Sequence, residues 1–304
     1  MTAAARVLVT GASGFIGGNV LSPLSQRGFD VHAVSRGPAP PDTREAVSWH
    51  RADLLVPEEQ RALLEAVQPS HLLHLAWYTE HGLFWHSPEN LRWATATIHL
   101  VHAFADRGGR RAVLGGTCAE YRWGEPGPCT EDVTPLAPAT LYGAAKLGTY
   151  ELLYAAAPEL ALELASGRVF FLYGPGEAPG RLVASVARGL LAGERVATSD
   201  GKQIRDFLHV ADVARAFVEL VDSDVTGAVN IGSGNRRQLR DLIGAVGDAT
   251  GRADLLDIGA LPRPSDDPNE LVADISRLRG EVGFVPRIDL DDGIGQTVAW
   301  WRTA

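Results

Sequence analysis

Lysine is nearly absent from this chain. Of 28 basic residues among 304, only Lys146 and Lys202 are lysines. Chemistry that needs an amine therefore has two candidates, although an arginine bias is also what a GC-rich genome produces. Cysteine is as scarce. Cys118 and Cys129 are too few for a disulfide framework, and a reducing cytoplasm is the simplest home. No apolar run reaches membrane-spanning length and no basic-plus-apolar signal peptide opens the chain, so no membrane partner is expected. Runs of like charge are missing, and charged residues make up only 21%, which argues against broad disorder. The net charge of −9 speaks against a nucleic-acid surface while leaving room for local basic pockets. No internal repeat or low-complexity segment is present.

What is present is an alternation of short apolar runs with amphipathic stretches. Strands are expected at 6–10, 29–35, 47–50, 71–76 and 111–115, with a further strand region over 160–172. Helices are expected between them at 15–27, 57–67, 88–106 and 141–156. Pro57 suits a first helical turn, where its missing N–H is harmless. Strand–helix alternation at this spacing means βαβ units and a doubly wound parallel sheet. After Tyr173 the pattern loosens. Helices are expected at 182–191, 210–221 and 239–250, a strand at 228–231, a Pro-rich loop at 261–268 and a last helix ending in Trp300-Trp301. This half reads as a smaller cap interleaved with the last elements of the sheet.

Gly11, Gly14 and Gly17 stand in TGASGFIGG, after the first strand and opening the first helix. A tight turn, close backbone approach to a pyrophosphate and close helix–strand packing each ask for glycine there. The helix N-terminus adds free N–H groups and a positive dipole end. Ser13, Phe15 and Ile16 complete the loop. The plain alternative is a structural glycine turn. The second strand ends in Ser35-Arg36, with no acid before Asp42. A carboxylate there would accept the ribose hydroxyls of NAD and repel a 2′-phosphate, whereas Arg36 would pair with one. NADP(H) is therefore the preferred cofactor, with NAD(H) possible; a solvated surface role for Arg36 is the alternative. Asp53-Leu54, after the third strand, suits an adenine contact.

Tyr142 and Lys146 lie four apart at the start of a helix, hence on one face. A neighbouring ammonium would favour the phenolate of a side chain whose ordinary pKa is near 10. Thr117, at a strand end, could hold a substrate oxygen beside that phenol. Other residues have plainer readings. His99 and His102 share a helix face without a third ligand, and His71 and His74 point to opposite faces of a strand. Cys118 is expected to be a small packing residue, and Trp77, Trp85 and Trp93 either line a sugar pocket or pack in a core or interface.

In order, TGASGFIGG, Asp53-Leu54, HLA at 74–76, GTCAEY at 116–121, Tyr142-x-x-x-Lys146 and QIRDFLHVADVA at 203–214 resemble the extended short-chain dehydrogenase/reductase superfamily. Within it they resemble the NAD(P)-dependent nucleotide-sugar epimerase/dehydratase group. The resemblance runs through nearly the whole chain. It implies a Rossmann-type sheet at 1–172, completed by about 206–232, with a smaller mixed α/β nucleotide-sugar region at 173–205 and 233–304. It implies Thr117, Tyr142 and Lys146 as catalytic residues, with Lys146 also on the nicotinamide ribose and Leu75 and Ala76 on the cofactor. Arg205 and Arg263 match diphosphate-binding arginines, and Asn230, Arg181 and Cys118 fall on the substrate side. The residue-level alternative for Arg205 is a salt bridge to Asp206 or Asp212. The group's dimers use helices matching 88–106 and 140–157, which implies a homodimer.

Departures narrow the expected reaction. Sugar 4,6-dehydratases similar to this chain carry an Asp-Glu pair after the catalytic Thr, where Cys118 and Ala119 stand here, so dehydration is disfavoured. Epimerases of the group usually end the second strand in an acid, and many members have Asn in place of Phe171. The expectation is NADPH-dependent reduction of a nucleoside-diphosphate 4-keto-6-deoxy sugar. The alternatives are an NAD-dependent nucleotide-sugar epimerase and a silent dinucleotide sensor, which would tend to have lost Tyr142 or Lys146.

Overall fold

A computed structural model describes residues 4–38, 47–264 and 267–304. Asp42 lies outside them. Strand β1 (Arg6–Thr10) leads through the glycine turn to helix α1 (Phe15–Gln26). Then follow β2 (Asp30–Ser35), β3 (Val47–Arg51), α2 (Pro57–Val67), β4 (His71–His74), α3 (Glu89–Ala105), β5 (Arg111–Thr117), α4 (Leu141–Ala156) and β6 (Glu163–Val169). Next come β7 (Phe171–Tyr173), α5 (Leu182–Leu191), β8 (Val196–Thr198), β9 (Ile204–Arg205), β10 (Phe207–His209), α6 (Val210–Val221) and β11 (Gly227–Ile231). The chain closes with β12 (Arg237–Gln238), α7 (Leu239–Thr250), β13 (Leu256–Ile258), β14 (Glu270–Leu271), α8 (Ser276–Gly280) and α9 (Leu290–Trp301).

Seven strands form one parallel sheet in the order β11-β6-β5-β4-β1-β2-β3. The chain leaves β3 and re-enters on the other side of β1 at β4, so the order reverses beside β1. The crevice at that reversal is where open α/β sheets take ligands. Both faces are covered, and β1 shows it residue by residue. Val7 and Val9 belong to one apolar cluster and Leu8 to the other, all three fully buried. Helices α1 and α6 pack together, and α2, α3 and α4 pack in a row. A third cluster, from α5, α7 and α9, forms the core of a smaller layer.

Two expected strands end early, each for a local reason. The strand expected at 71–76 stops at His74, because the amides of Leu75 and Ala76 turn to the Thr10 hydroxyl at 3.1 and 3.2 Å. The region expected over 160–172 splits at Phe170. Its amide donates to Ile231 O at 3.0 Å, after which β7 leaves the main sheet to pair with β10.

Candidate active site

The dinucleotide loop is built by exclusion. Gly11 has φ +66°, and a Cβ on it would meet Ala76 N and Leu75 C at 2.8 Å. A Cβ on Gly17 would sit 2.0 Å from Gly11 O. Gly14 N donates to Gly11 O at 2.9 Å, closing the turn, and α1 opens at Gly14 with no side-chain cap. Its first N–H groups are thus left for a ligand, the arrangement that suits a pyrophosphate. Leu75 and Ala76 lie against the same glycine. These observations fit a dinucleotide.

At the end of β2, the Ser35 hydroxyl donates to Gly37 O at 2.7 Å and Arg36 is exposed. Ser35 pairs in register with Arg51 of β3, whose Nε donates to Arg36 O at 3.1 Å. The strand tip therefore places two arginines side by side; Arg51 was not singled out from the sequence. Past β3, Asp53 accepts from Leu55 N at 3.0 Å, while Leu54 is buried in the core.

Thr117 ends β5 and caps a short 3-10 turn, Cys118–Glu120. Its Oγ1 accepts from Ala119 N at 3.2 Å, and the hydroxyl lies close enough to the Tyr142 phenol to lower it. Helix α4 begins under this turn because Gly143 allows it; a Cβ there would lie 2.2 Å from Ala119 O. Thr140 caps the helix, accepting from Gly143 N at 3.1 Å. Phe84 and Trp85 stand edge-on to the Tyr142 ring, at 4.9 and 5.8 Å between centroids. Burial raises the phenol above its ordinary value, and the Thr117 hydroxyl and the Arg181 charge pull it back.

Lys146 lies one turn on, but its ammonium does not turn to the phenol. Nζ donates to Gly115 O at 2.7 Å and stands 4.0 Å over the Trp77 ring. Burial pushes its pKa down to about 7, opposed by the Glu120 charge. The groups that lower the Tyr142 phenol are Thr117 and Arg181. Nearby, His74 is buried between Thr10 Oγ1 at 2.8 Å and Thr97 Oγ1 at 2.9 Å, and burial lowers it to about 3, so it is neutral.

The expected substrate residues divide. Arg181 opens α5, half-buried and 5.5 Å over the Phe84 ring. Arg205 is buried and pairs with Asp267, not with Asp206 or Asp212. Asp206 is taken by the amides of Ser233, Gly234 and Ala273, and Asp212 by those of Arg287 and Ile288. Arg263 reaches the same Asp267, Nε to Oδ2 at 3.5 Å, so one carboxylate gathers both guanidiniums. A cavity of about 520 Å³ adjoins them, lined by Trp123, Arg263, Asp267 and Asn269 among others. Phe171 lies 5.5 Å under Arg205 as an apolar platform.

Two expectations are corrected. Asn230 is fully buried, its amide bound to Tyr121 Oη at 2.7 Å, Cys129 O at 2.8 Å and Asp274 O at 3.1 Å, so it holds the floor of the site and does not face the cleft. Cys118 is buried in the same cluster as Cys129, and burial pushes its thiol up, as befits a packing residue and not a substrate contact. Of the tryptophans, Trp93 is core, while Trp77 and Trp85 flank Lys146 and Tyr142. The sequence reading also passed over Glu120 and Arg168, a buried ion pair at 2.7 Å beneath Thr117. The Thr117-x-x-Glu120 spacing is the capping-box pattern that could have pointed to Glu120. Among the described residues no group of three or more His, Cys, Asp or Glu could hold a metal ion, and no helix is long and apolar enough to cross a membrane.

Comparison with known proteins agrees with this fold. The profile of the NAD dependent epimerase/dehydratase family matches residues 7–232. The dTDP-glucose 4,6-dehydratase of Streptomyces griseus is 28% identical, covering 98% of this chain and 94% of the relative. The UDP-glucose 4-epimerase of Azospirillum brasilense is 29% identical, covering 99% and 92%. Among solved structures, MoeE5 in complex with UDP-glucuronic acid and NAD is 32% identical, with a TM-score of 0.85 and coverage of 98% and 99%. The UDP-glucose 4-epimerase of Thermus thermophilus in complex with NAD is 27% identical, with a TM-score of 0.86 and the same coverage.

Proposed function

This chain belongs to the NAD dependent epimerase/dehydratase family, and on that footing we propose that it transfers hydride at C4 of a nucleoside-diphosphate hexose, with Tyr142 as the acid–base group. The observation behind this reading is the Tyr142 phenol set beside Thr117, which lowers it, while the two residues after Thr117 are a buried thiol and an alanine. One proton-transfer group suffices for an alcohol–ketone exchange. Elimination of water from the sugar would need a further acid–base pair, which Cys118 and Ala119 do not provide.

A bound nicotinamide dinucleotide supplies the hydride acceptor or donor. Gly11, Gly14 and Gly17 with the start of α1 hold its pyrophosphate, and Lys146 holds its nicotinamide ribose. Thr117 orients the reacting oxygen. Tyr142 takes that oxygen's proton on oxidation and returns one on reduction. Arg205 and Arg263 bind the diphosphate, displacing Asp267.

Within this chemistry, epimerisation with retained NAD is the reading the relatives support best. UDP-glucose 4-epimerases recur among them, and several similar structures are complexes with NAD. Reduction of a 4-keto-6-deoxy sugar by NADPH is the second reading, favoured by the Ser35-Arg36 strand end beside Arg51. One experiment separates them. The protein is incubated with NAD and UDP- or dTDP-glucose, and separately with NADPH and nucleotide 4-keto-6-deoxy sugars. An epimer formed without net change in nicotinamide absorbance establishes the first; falling absorbance with a 4-hydroxy product by NMR establishes the second. Tyr142→Phe should retain dinucleotide binding and lose turnover in either arm. Turnover retained by that variant, or a dehydrated product from dTDP-glucose, would overturn the assignment.

A further inference from the structure

The buried polar groups beneath the site form one connected chain. Thr117 N donates to Glu120 Oε1 at 2.9 Å, and Arg168 Nε donates to Glu120 Oε2 at 2.7 Å. Arg168 Nη1 donates to Tyr121 Oη at 3.1 Å, and that hydroxyl donates to Asn230 Oδ1 at 2.7 Å. Asn230 closes the path onto Cys129 O and Asp274 O. Glu120 and Arg168 are 0% and 1% exposed.

Stability gives a poor account of such a pair. Desolvating both ions costs several kcal/mol each, and apolar replacements of similar volume are often as stable or more so. Direction and charge give a better account. The carboxylate binds the backbone of the residue whose hydroxyl meets the Tyr142 phenol, and its charge reaches three side chains of α4: Tyr142, Lys146 and Tyr150. The other ionisable groups facing this region are Arg168 from β6, Cys118 from the 3-10 turn and Tyr121 just after it, His74 from β4 and Arg181 from the start of α5. Arg205 and Asp206 act on Cys118. Glu120 is the carboxylate that acts on Lys146.

We propose that Glu120 is a positioning residue for hydride transfer: it fixes the Thr117 backbone against Arg168 and sets one negative charge beneath Tyr142 and Lys146. The catalytic half of this proposal rests on the hydride-transfer reading above. The electrostatic half is measurable without substrate.

The scarcity of lysine makes the test direct. Protein with 13C-labelled lysine side chains carries only two labelled residues, Lys146 and the exposed Lys202. The signal that titrates well below the ordinary amine range is Lys146. Glu120→Gln keeps an oxygen for Thr117 N and removes the charge. In that variant the Lys146 midpoint falls by on the order of one pH unit. Glu120→Gln combined with Arg168→Gln removes the charge without orphaning a guanidinium. It shifts the midpoint in the same direction, so poor folding of the single variant does not block the measurement. A midpoint unmoved in the double variant would overturn the proposal and leave Glu120 as Arg168's counter-ion alone. In turnover, the alkaline limb of kcat moves to lower pH while KM for the nucleotide sugar changes by less than about twofold. A uniform loss at every pH would likewise overturn it. A wild-type protein that neither epimerises nor reduces any tested nucleotide sugar would defeat the hydride-transfer reading instead, while the lysine titration still decides the charge.

Discussion

Lys146 Nζ lies 4.0 Å over the ring of Trp77, and the indole Nε1 of Trp77 is itself pinned to Asn90 Oδ1 at 2.8 Å. Asn90 is fully buried and donates back to Phe84 O and Ser87 O at 2.7 and 2.9 Å. The segment that presents Phe84 and Trp85 to Tyr142 is thus tied to the ring that covers the amine. The site amine is held by a carbonyl and an aromatic face, both of which favour the ammonium, but its burial from solvent outweighs them and leaves it easily deprotonated.

That environment has a pH signature. The unfolded chain takes up the lysine proton near 10.5, and the folded chain only near 7. Between those values the unfolded state binds more protons, so this group makes stability rise with pH and adds a constant penalty below about 7. Lys146→Met should therefore melt at a higher temperature than wild type at pH 7, and the gap should narrow as pH approaches 10. Thermal melts across this range check it, and turnover should be lost throughout.

The glycine loop allows a paired test. Gly17→Ala forces a methyl to 2.0 Å from Gly11 O, whereas Gly18→Ala meets its nearest atom, Ala12 O, at 3.8 Å. Gly17→Ala should abolish NAD(P)H binding and lower the melting temperature, with Gly18→Ala close to wild type. Titration of cofactor fluorescence distinguishes the two.

Cofactor choice turns on Arg36 and Arg51. If a 2′-phosphate binds at the end of β2, Arg36→Ala should weaken NADPH by about tenfold, the scale of one lost charge-assisted bond. Binding of NADH should stay within about twofold. Equal loss for both cofactors would place Arg36 outside cofactor discrimination.

Asp267 holds two guanidiniums and would itself repel a diphosphate. Asp267→Asn removes that repulsion and leaves Arg205 and Arg263 free to bind. Its KM for a nucleotide sugar should fall, and its affinity for free nucleoside diphosphate should rise by about tenfold. Isothermal titration with the diphosphate measures it.

Much of the fold was legible because its signals are local. Helices α2, α4, α5, α6 and α7 run over the residues that periodicity picked out, and Pro57 opens α2 as expected. The two-residue strands β9, β12 and β14 were not legible. Arg205 pairs with Arg237 on one side and Leu271 on the other, and no local pattern records partners so distant in sequence. The site divides in the same way. Spacing puts Tyr142 and Lys146 on one helix face and Thr117 at a strand end, while their catalytic roles come from the resemblance. Arg205 was read against its neighbours Asp206 and Asp212, yet its partner lies 62 residues on. Arg168 gave no signal because a guanidinium inside a parallel strand has meaning only once Glu120 is beside it.

The sheet's seventh strand comes last in the chain. During synthesis β6 is an open edge until Gly227–Ile231 has left the ribosome, a strand that begins 58 residues past Val169. Arg111, fully buried in β5, has the same wait, since its guanidinium donates to Leu220 O and Val225 O at 2.6 and 2.7 Å. The nascent chain therefore carries an unpaired strand edge and an unsatisfied internal cation at the same stage, both hazards for misassembly. A ribosome stalled before the codon for residue 220 would present a chaperone substrate, and one stalled well past residue 231 a complete seven-stranded sheet.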